Sequence, residues 1–233
     1  MLPAPTMNCD EIIRRLKTHS NPAAVQGMSR FGINPTNALG VSIPSLRKMA
    51  REIGTDHRVA QQIWGSGIHE ARILASMIDD PEKVTAAQME RWVRDFDSWD
   101  VCDQCCSNLF DKTSFAHQKA LQWTSRSQEF VKRAGFALMA ALAVHDKESS
   151  NRPFERYLPI IKRESDDQRN FVKKAVNWAL RQIGKRNPQL NRKAIETAMQ
   201  IQKRDSKAAR WIASDAIREL TSDPVKKKLR KSH

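Results

Sequence analysis

The stretch DFDSWDVCDQCC, from Asp95 to Cys106, gathers four aspartates, one tryptophan and three cysteines within twelve residues. Such a set could bind a metal, supply a catalytic carboxylate or form a solvated helix face. A structural zinc site usually takes four Cys or His ligands from paired motifs, and CxxCC has no matching second pair. We therefore expect no metal at this stretch. A redox or metal sensor would instead need exposed thiols with a lowered pKa.

A helix over residues 98–110 would sort these side chains onto neighbouring lines. One apolar stripe, with the spacing i, i+3, i+4 and i+7, is formed by Cys102, Cys105, Cys106 and Leu109. Reduced cysteines behave as small buried hydrophobes, so all three are predicted to be core residues. Trp99 and Asp103, four residues apart, share a helix face at the edge of that stripe.

The four carboxylates of the stretch are not equivalent. Asp95 and Asp97 fall at a helix junction, where aspartate commonly caps, and Asp100 is predicted to point toward solvent. Asp103 alone lies in mid-helix, at an apolar border and beside an indole. Because burying a carboxylate is costly, Asp103 needs either a structural partner such as Arg133 or a function. The residue pattern leaves both interpretations open.

These residues are predicted to lie in a chain that is helical throughout. Glycine is scarce, at 8 of 233 residues, and no strand-like alternation of apolar and polar residues is found. Helix starts are marked at Asn8, at Asn21 before Pro22, and at Thr85. About twelve helices joined by short links predict an all-α fold of stacked antiparallel helix pairs.

A loose internal repeat indicates a HEAT-like or armadillo-like solenoid. We expect one curved domain over residues 1–222, and ordinary amphipathic helices that share a common pattern are the alternative. Four repeat segments each have a basic residue near their start, expected to lie along a concave groove: Arg72, Arg133, Lys174 and Arg210. Four residues after each basic residue the chain has a small side chain, except at Trp178. That indole is either a packing plug or an exposed stacking surface.

The positive charge is concentrated in the second half of the chain. Residues 1–125 hold 14 Lys and Arg against 14 Asp and Glu, whereas residues 126–233 hold 26 against 12 and carry the whole excess of +14. Such a basic surface suits a polyanion, foremost nucleic acid. The tail, residues 223–233, contains five of the positive charges and is predicted to be disordered.

The chain shows no pattern for secretion or for membrane insertion. No apolar run approaches the ~20 residues of a membrane span, so we expect no membrane partner. The start MLPAPTMNCDEII has no basic region followed by an apolar one, and the four cysteines are too unevenly spaced for a disulfide framework. We therefore expect a reduced, cytoplasmic protein.

Three segments, SWDVCDQ, VKRAGFALMAAL and FVKKAVNWALRQIGKRNP, resemble the AlkD-type DNA alkylation repair glycosylases, and the resemblance extends over roughly residues 8–220. It implies a solenoid of HEAT-like repeats that excises cationic N3- or N7-alkylated purines from duplex DNA. By this resemblance Asp103 is the catalytic aspartate, and the lesion cleft is lined by Trp99, Trp178 and Arg133. The segment 27–48 is poor in aromatic residues, and no DNA contact is assigned to it.

The implied chemistry fits these residue types. Alkylation makes the purine a good leaving group, so one carboxylate that stabilises an oxocarbenium-like sugar and positions water is enough. No lysine nucleophile, metal or cofactor is required, and no strand cleavage is expected. Contacts with backbone phosphates fix the position of a protein on DNA without reading the base sequence. Such contacts are expected from Arg72, Lys173, Lys174 and Arg210. The expected partner is double-stranded DNA containing alkylated bases, bound by a nucleoid-associated monomer.

The main alternative is a non-catalytic helical-repeat scaffold that binds nucleic acid or an acidic protein. Fold alone does not give function, and helical solenoids more often bind than catalyse. An open groove lined by the predicted cleft residues would favour the enzyme. Burial of Asp103 in a salt bridge without an open cleft would favour the scaffold.

Overall fold

The computed structural model describes residues 7–230, and within them the chain forms fourteen α-helices, three short 3-10 turns and no strand. The predicted all-α class is therefore confirmed for the described part of the chain. By the contacts between its residues the chain divides into two compact units, one ending at Thr113 and the other beginning at Ser114. The single domain over residues 1–222 stays a prediction.

Each unit is built from seven helices among the described residues. The helices of the first unit are α1 (Cys9–Thr18), α2 (Pro22–Met28), α3 (Ile43–Ile53), α4 (His57–Trp64), α5 (His69–Ile78), α6 (Ala86–Arg94) and α7 (Trp99–Asn108). The helices of the second unit are α8 (Ala116–Trp123), α9 (Glu129–His145), α10 (Asn151–Arg163), α11 (Asn170–Gly184), α12 (Pro188–Gln202), α13 (Lys207–Leu220) and α14 (Asp223–Arg230).

Side-chain caps fix the helix starts that the sequence marks. The side chains of Asn8, Asn21 and Thr85 each accept a hydrogen bond from the backbone N–H three residues later, at 3.0 to 3.1 Å. These bonds satisfy donors that the first turn of a helix leaves without an intrahelical partner. The three predicted starts are confirmed.

In the first unit, successive helix pairs stack with an offset of about thirty residues. Three side-chain contacts each join residues 31 positions apart: Leu39 with Glu70, Trp64 with Asp95, and His69 with Asp100. They connect α4 and α5 to the elements before and after them. The core between α4 and α6 contains the stacked rings of Trp64 and Trp92, whose centroids are 3.8 Å apart.

In the second unit the offset is 38 residues. Asn177 of α11 donates to Asp215 of α13 at 2.7 Å, and Lys162 of α10 donates to Gln200 of α12 at 2.8 Å; each bond spans 38 positions. The same spacing joins Arg181 to Glu219. The pair α10–α11 is therefore followed by an equivalent pair α12–α13, and the predicted repeat of helix pairs is present in this unit.

The basic residues predicted to mark the repeat do not share its register. An offset of 38 makes Ile212, and not Arg210, the counterpart of Lys174. Exposure differs as well, because Arg133 is buried whereas Lys174 and Arg210 are exposed. Lys174 and Arg210 are therefore not equivalent positions of the 38-residue repeat. That the four basic residues lie along one groove stays a prediction.

The basic tail also differs from its prediction. Residues Asp223–Arg230 form α14, and Val225 and Leu229, one turn apart, are both buried. This apolar pair gives the helix a packing face that the charge count conceals. Residues 231–233 of the predicted disordered tail lie outside the described residues. Among residues 7–230, no helix has the length and apolar character that crossing a bilayer requires.

Candidate functional site

Helix α7 carries the predicted catalytic aspartate and begins at Trp99. Ser98 occupies the N-cap position without capping, because its hydroxyl accepts the backbone N–H of Asn34 at 2.8 Å. The side-chain amide of Asn34 donates to the carboxylate of Asp97 at 2.9 Å. Asp97 and Ser98 therefore attach the segment after α2 to the start of α7, rather than capping the helix as predicted.

The indole of Trp99 is held by the same segment. Its N–H donates to the backbone carbonyl of Phe31 at 2.9 Å, and the indole is half-buried. The ring of Phe31 itself is 72 % exposed. No DNA contact was predicted for residues 27–48, and the sequence pattern did not indicate a role for this aromatic. The contact joins residues 68 positions apart, and no local spacing could have revealed it.

Asp103 lies one turn after Trp99 and is half-buried. The neighbouring stripe of Cys102, Cys105, Cys106 and Leu109 is fully buried, as predicted. Burial raises the pKa of the Cys105 and Cys106 thiols well above the usual range, and the charges of Cys102 and then Asp103 add to the effect at Cys106. A sensor that needs exposed, low-pKa thiols is therefore contradicted by the structure.

Asp100 is placed differently from its prediction. Its carboxylate contacts Nε2 of His69 at 2.8 Å, and only 15 % of the side chain is exposed. Among residues 7–230, its second oxygen, Oδ1, is buried and has no hydrogen-bond partner. Burial by itself would lower the pKa of His69, but the hydrogen bond and charge of Asp100, together with the charge of Glu70, raise it. Asp100 thus links α5 to α7 through a mostly buried contact and does not face solvent.

Glu70 holds the loop that leads into α3. This buried carboxylate accepts the backbone N–H groups of Leu39 at 2.8 Å and of Gly40 at 2.6 Å. Gly40 has φ of 75°, which favours glycine, and a Cβ there would lie 2.3 Å from the carbonyl oxygen of Asn21. Through Glu70 and its neighbour His69, α5 therefore contacts both this loop and α7.

Arg72, Trp64 and Asp95 contact one another at the end of α6. The Arg72 guanidinium donates to the backbone carbonyl of Asp95 at 3.0 Å and lies 5.7 Å from the Trp64 ring. The Asp95 carboxylate accepts the indole N–H of Trp64 at 2.8 Å, and Asp95 is the C-cap residue of α6. The contact of Arg72 with backbone phosphate stays a prediction.

The other two predicted cleft residues lie in the second unit. Arg133 on α9 is buried, and its guanidinium donates to the backbone carbonyl of Phe171 at 2.6 Å. Trp178 on α11 is half-buried, one turn after the exposed Lys174. Trp178 is therefore neither a fully buried plug nor a freely exposed ring. The prediction that Arg133 and Trp178 line one cleft with Asp103 stays a prediction.

The predicted phosphate contacts of the second unit occupy the starts of α11 and α13. The ammonium of Lys173 lies 4.9 Å from the ring centroid of Trp211. Arg210 forms an ion pair with Asp205 at 3.1 Å, and half of its side chain is exposed. The structure thus brings Lys173 close to α13, where Arg210 and Trp211 are consecutive. No group of three or more potential metal ligands occurs among residues 7–230.

A family model described as DNA alkylation repair enzyme matches residues 12–220 of the chain. An uncharacterised protein of Listeria innocua is 22% identical over 199 residues, which cover 83% of this chain and 86% of that protein.

One solved structure has the same fold, with a TM-score of 0.76 at 20% identity, and the match covers 91% of this chain and 95% of the other. That protein is described as one of "a new family of proteins related to the HEAT-like repeat DNA glycosylases with affinity for branched DNA structures". The predicted HEAT-like repeat fold is thereby confirmed.

Proposed function

The chain belongs to the DNA alkylation repair enzyme family, and we propose that it is a monofunctional DNA glycosylase. Its substrates are cationic N3- or N7-alkylated purines in duplex DNA, and the bond it hydrolyses is the N-glycosidic bond. The observation that carries this proposal is the arrangement on α7, where half-buried Asp103 lies one turn from the half-buried indole of Trp99.

The leaving group explains why one carboxylate suffices. A purine alkylated at N3 or N7 already carries positive charge, so it departs without a strong general acid. The remaining demand is to stabilise positive charge that develops on the sugar and to position the attacking water. A carboxylate at the edge of an apolar stripe meets this demand, because reduced solvation strengthens its interaction with a nearby cation.

Two aromatic residues suit a cationic base: Trp99, one turn from Asp103, and Phe31, whose carbonyl binds the Trp99 indole. An indole face attracts a cation through the ring quadrupole, worth about 0.5–2 kcal/mol. The contact between the Trp99 N–H and the Phe31 carbonyl fixes the orientation of this indole. Phe31 provides a second ring on the same segment. By the family resemblance, Trp178 and Arg133 are also proposed as lesion-site residues.

The basic second half supplies the sequence-independent affinity for DNA. Lys173, Lys174 and Arg210 are proposed to contact backbone phosphates, which fix the position of the duplex without reading bases. By the family resemblance, the lesion need not be flipped into a tight pocket. Neither a metal nor an organic cofactor takes part.

The second candidate function is non-catalytic DNA binding. The protein of the matching solved structure is described as having affinity for branched DNA, and that fold match covers nearly the whole chain. Under this hypothesis Asp103 is a structural residue, and junction DNA is preferred over alkylated duplex.

Release of free base from methylated duplex DNA tests the proposal. Purified protein should liberate N3-methyladenine or N7-methylguanine and leave abasic sites that break only after alkali treatment. Strand breaks without alkali would contradict the monofunctional assignment. Tight binding to a four-way junction without any base release would support the scaffold instead.

A further inference from the structure

Helix α13 presents an exposed tryptophan that the proposed catalytic chemistry does not use. Its solvent face has the spacing i, i+3, i+4, i+7 and i+11 and consists of Lys207, Arg210, Trp211, Ser214 and Arg218, all exposed. The opposite face packs through alanines, isoleucine and leucine. Trp211 is 41% exposed, whereas the core tryptophans Trp92 and Trp123 are almost fully buried. Packing of α13 therefore does not account for an indole at this position.

A charged group of the preceding helix pair lies against this indole. The Lys173 ammonium on α11 lies 4.9 Å from the Trp211 ring centroid, at the 38-residue spacing that relates the stacked pairs. A cation at this distance interacts favourably with the ring. It orients the indole at the surface without covering it, since two fifths of the residue stay exposed.

The charges around this indole favour an anionic partner. Lys173, Lys207 and Arg210 surround Trp211 along the two helices. Two carboxylates are nearby, and both are engaged: Asp205 pairs with Arg210, and Asp215 contacts Asn177 and Arg218. The positive charge therefore exceeds the negative at this surface, in agreement with the excess of basic residues in the second half of the chain.

An aromatic ring among cations is the combination that binds single-stranded nucleic acid. Cations follow the phosphates, and the ring stacks on a base in a sequence-tolerant way, because every base has a π face. Bases in an intact duplex have their faces occupied by their neighbours, so only an unpaired base can use Trp211. Stacking does not require the base to be identified by hydrogen bonds. The solvent face of α13 offers chiefly cationic groups.

We propose that Trp211 stacks on an unpaired DNA base while Lys173, Lys207 and Arg210 contact the flanking phosphates. This site rests on the DNA-binding part of the proposed function and is independent of base excision. It assigns the protein a preference for DNA in which a short single-stranded segment adjoins the duplex, a preference that neither Trp99 nor Asp103 supplies.

Fluorescence anisotropy with the full chain tests the proposal. The two labelled probes are an intact duplex and the same duplex with a short single-stranded gap. The wild type should bind the gapped probe about 10-fold more tightly, because one stacked base is worth about that factor. Trp211→Ala should lose this preference while its affinity for the intact duplex stays nearly constant. Trp211→Phe should keep most of the preference, since the smaller ring still stacks.

Met199→Ala is the matched control, because Met199 is a similarly exposed apolar residue on α12 of the same unit. It should bind both probes as the wild type does. An equal affinity of the wild type for both probes would overturn the proposal, and so would an unchanged gap preference in Trp211→Ala. Base release from methylated duplex is measured separately on the wild type. Its absence alongside a Trp211-dependent gap preference would refute the glycosylase proposal and leave this site standing.

Discussion

Two aspartates three residues apart on α7 have different environments. Asp100 contacts buried His69 on the preceding helix pair, whereas Asp103 lies beside Trp99 and the cysteine stripe. The cysteine stripe could be predicted from the sequence, because helical spacing alone defines it. The role of Asp100 could not, since its partner lies 31 residues earlier and is set by how the helix pairs stack. For the same reason the sequence did not link Phe31 to Trp99.

The pair of His69 and Asp100 should make stability depend on pH. Asp100 and Glu70 raise the pKa of His69 in the folded state, against the effect of burial. A raised folded pKa contributes stability that is fully present below the unfolded value of about 6.5 and is lost as pH rises through the folded value. Asp100→Asn should therefore lower the free energy of unfolding by about 1–3 kcal/mol at low pH. The loss should be smaller at a pH above about 8.

Urea denaturation of Asp100→Asn and of the wild type measures this loss of unfolding free energy. It is carried out at one pH below about 6.5 and at one pH above about 8. Asp10→Asn is the control, because Asp10 is exposed on α1 of the same unit. It should change stability little and equally at both pH values. An equal loss for Asp100→Asn on both sides of the His69 titration would show that the charge on His69 is not involved.

The helices themselves follow from sequence more closely than their stacking does. Caps at Asn8, Asn21 and Thr85 are local features, and they occur where the sequence marks them. The repeat offsets of 31 and 38 residues were not predicted, because they depend on which faces are buried and how long the links are. The helix at Asp223–Arg230 was instead predicted to be disordered, because its two buried residues are outnumbered by charged ones.

Close packing of α8 against α9 yields a prediction for Gly135. A Cβ at this position would lie 2.7 Å from the backbone nitrogen of Thr124 and 3.0 Å from the carbonyl oxygen of Ala120. Both are backbone atoms and cannot move as a flexible side chain can. Gly135→Ala should therefore destabilise the protein by about 1–3 kcal/mol, the usual cost of overpacking.

Gly27→Ala is the matched control for thermal denaturation. Gly27 lies in α2, and a Cβ there meets nothing within 4 Å. That substitution should raise stability by about 0.4–1 kcal/mol, because alanine restricts the unfolded chain. If Gly135→Ala has the same stabilising effect, α8 and α9 are not in close contact at this point.

For the whole molecule, the sequence predicted both the all-α class and the placement of the positive charge in the second half of the chain. The family match and the fold match agree with the class. The excess of +14 resides in residues 126–233, and it includes the proposed phosphate contacts Lys173, Lys174 and Arg210. Individual roles were harder to predict. Arg72 is one example, because its contacts with Asp95 and Trp64 follow from tertiary structure.

Binding to undamaged duplex should weaken steeply with salt. Three neutralised phosphates give a slope of about −2.7 in the logarithmic plot, so affinity should fall about 40-fold between ~50 and ~200 mM salt. Lys174→Gln should reduce the slope by about one unit. Lys83→Gln, which removes an exposed cation from the first unit, should leave it unchanged. A flat salt dependence would show that the basic second half is not the DNA-binding face.

Asp103 is proposed to stabilise the cationic sugar in the transition state. Asp103→Asn preserves the size of the side chain and removes its charge. Only an interaction that is stronger in the transition state than in the bound complex accelerates the reaction. Affinity for undamaged DNA should therefore be unchanged or slightly tighter, because a carboxylate that repels phosphate has been removed.

Single-turnover release of base from methylated duplex measures this directly, with circular dichroism to confirm that the variant is folded. Asp10→Asn, which removes an exposed carboxylate from the same unit, should release base at the wild-type rate. Folded Asp103→Asn should release base at least ~10-fold more slowly, which corresponds to about 1.4 kcal/mol of lost transition-state stabilisation. Release at the wild-type rate by folded Asp103→Asn would contradict the proposed role of Asp103.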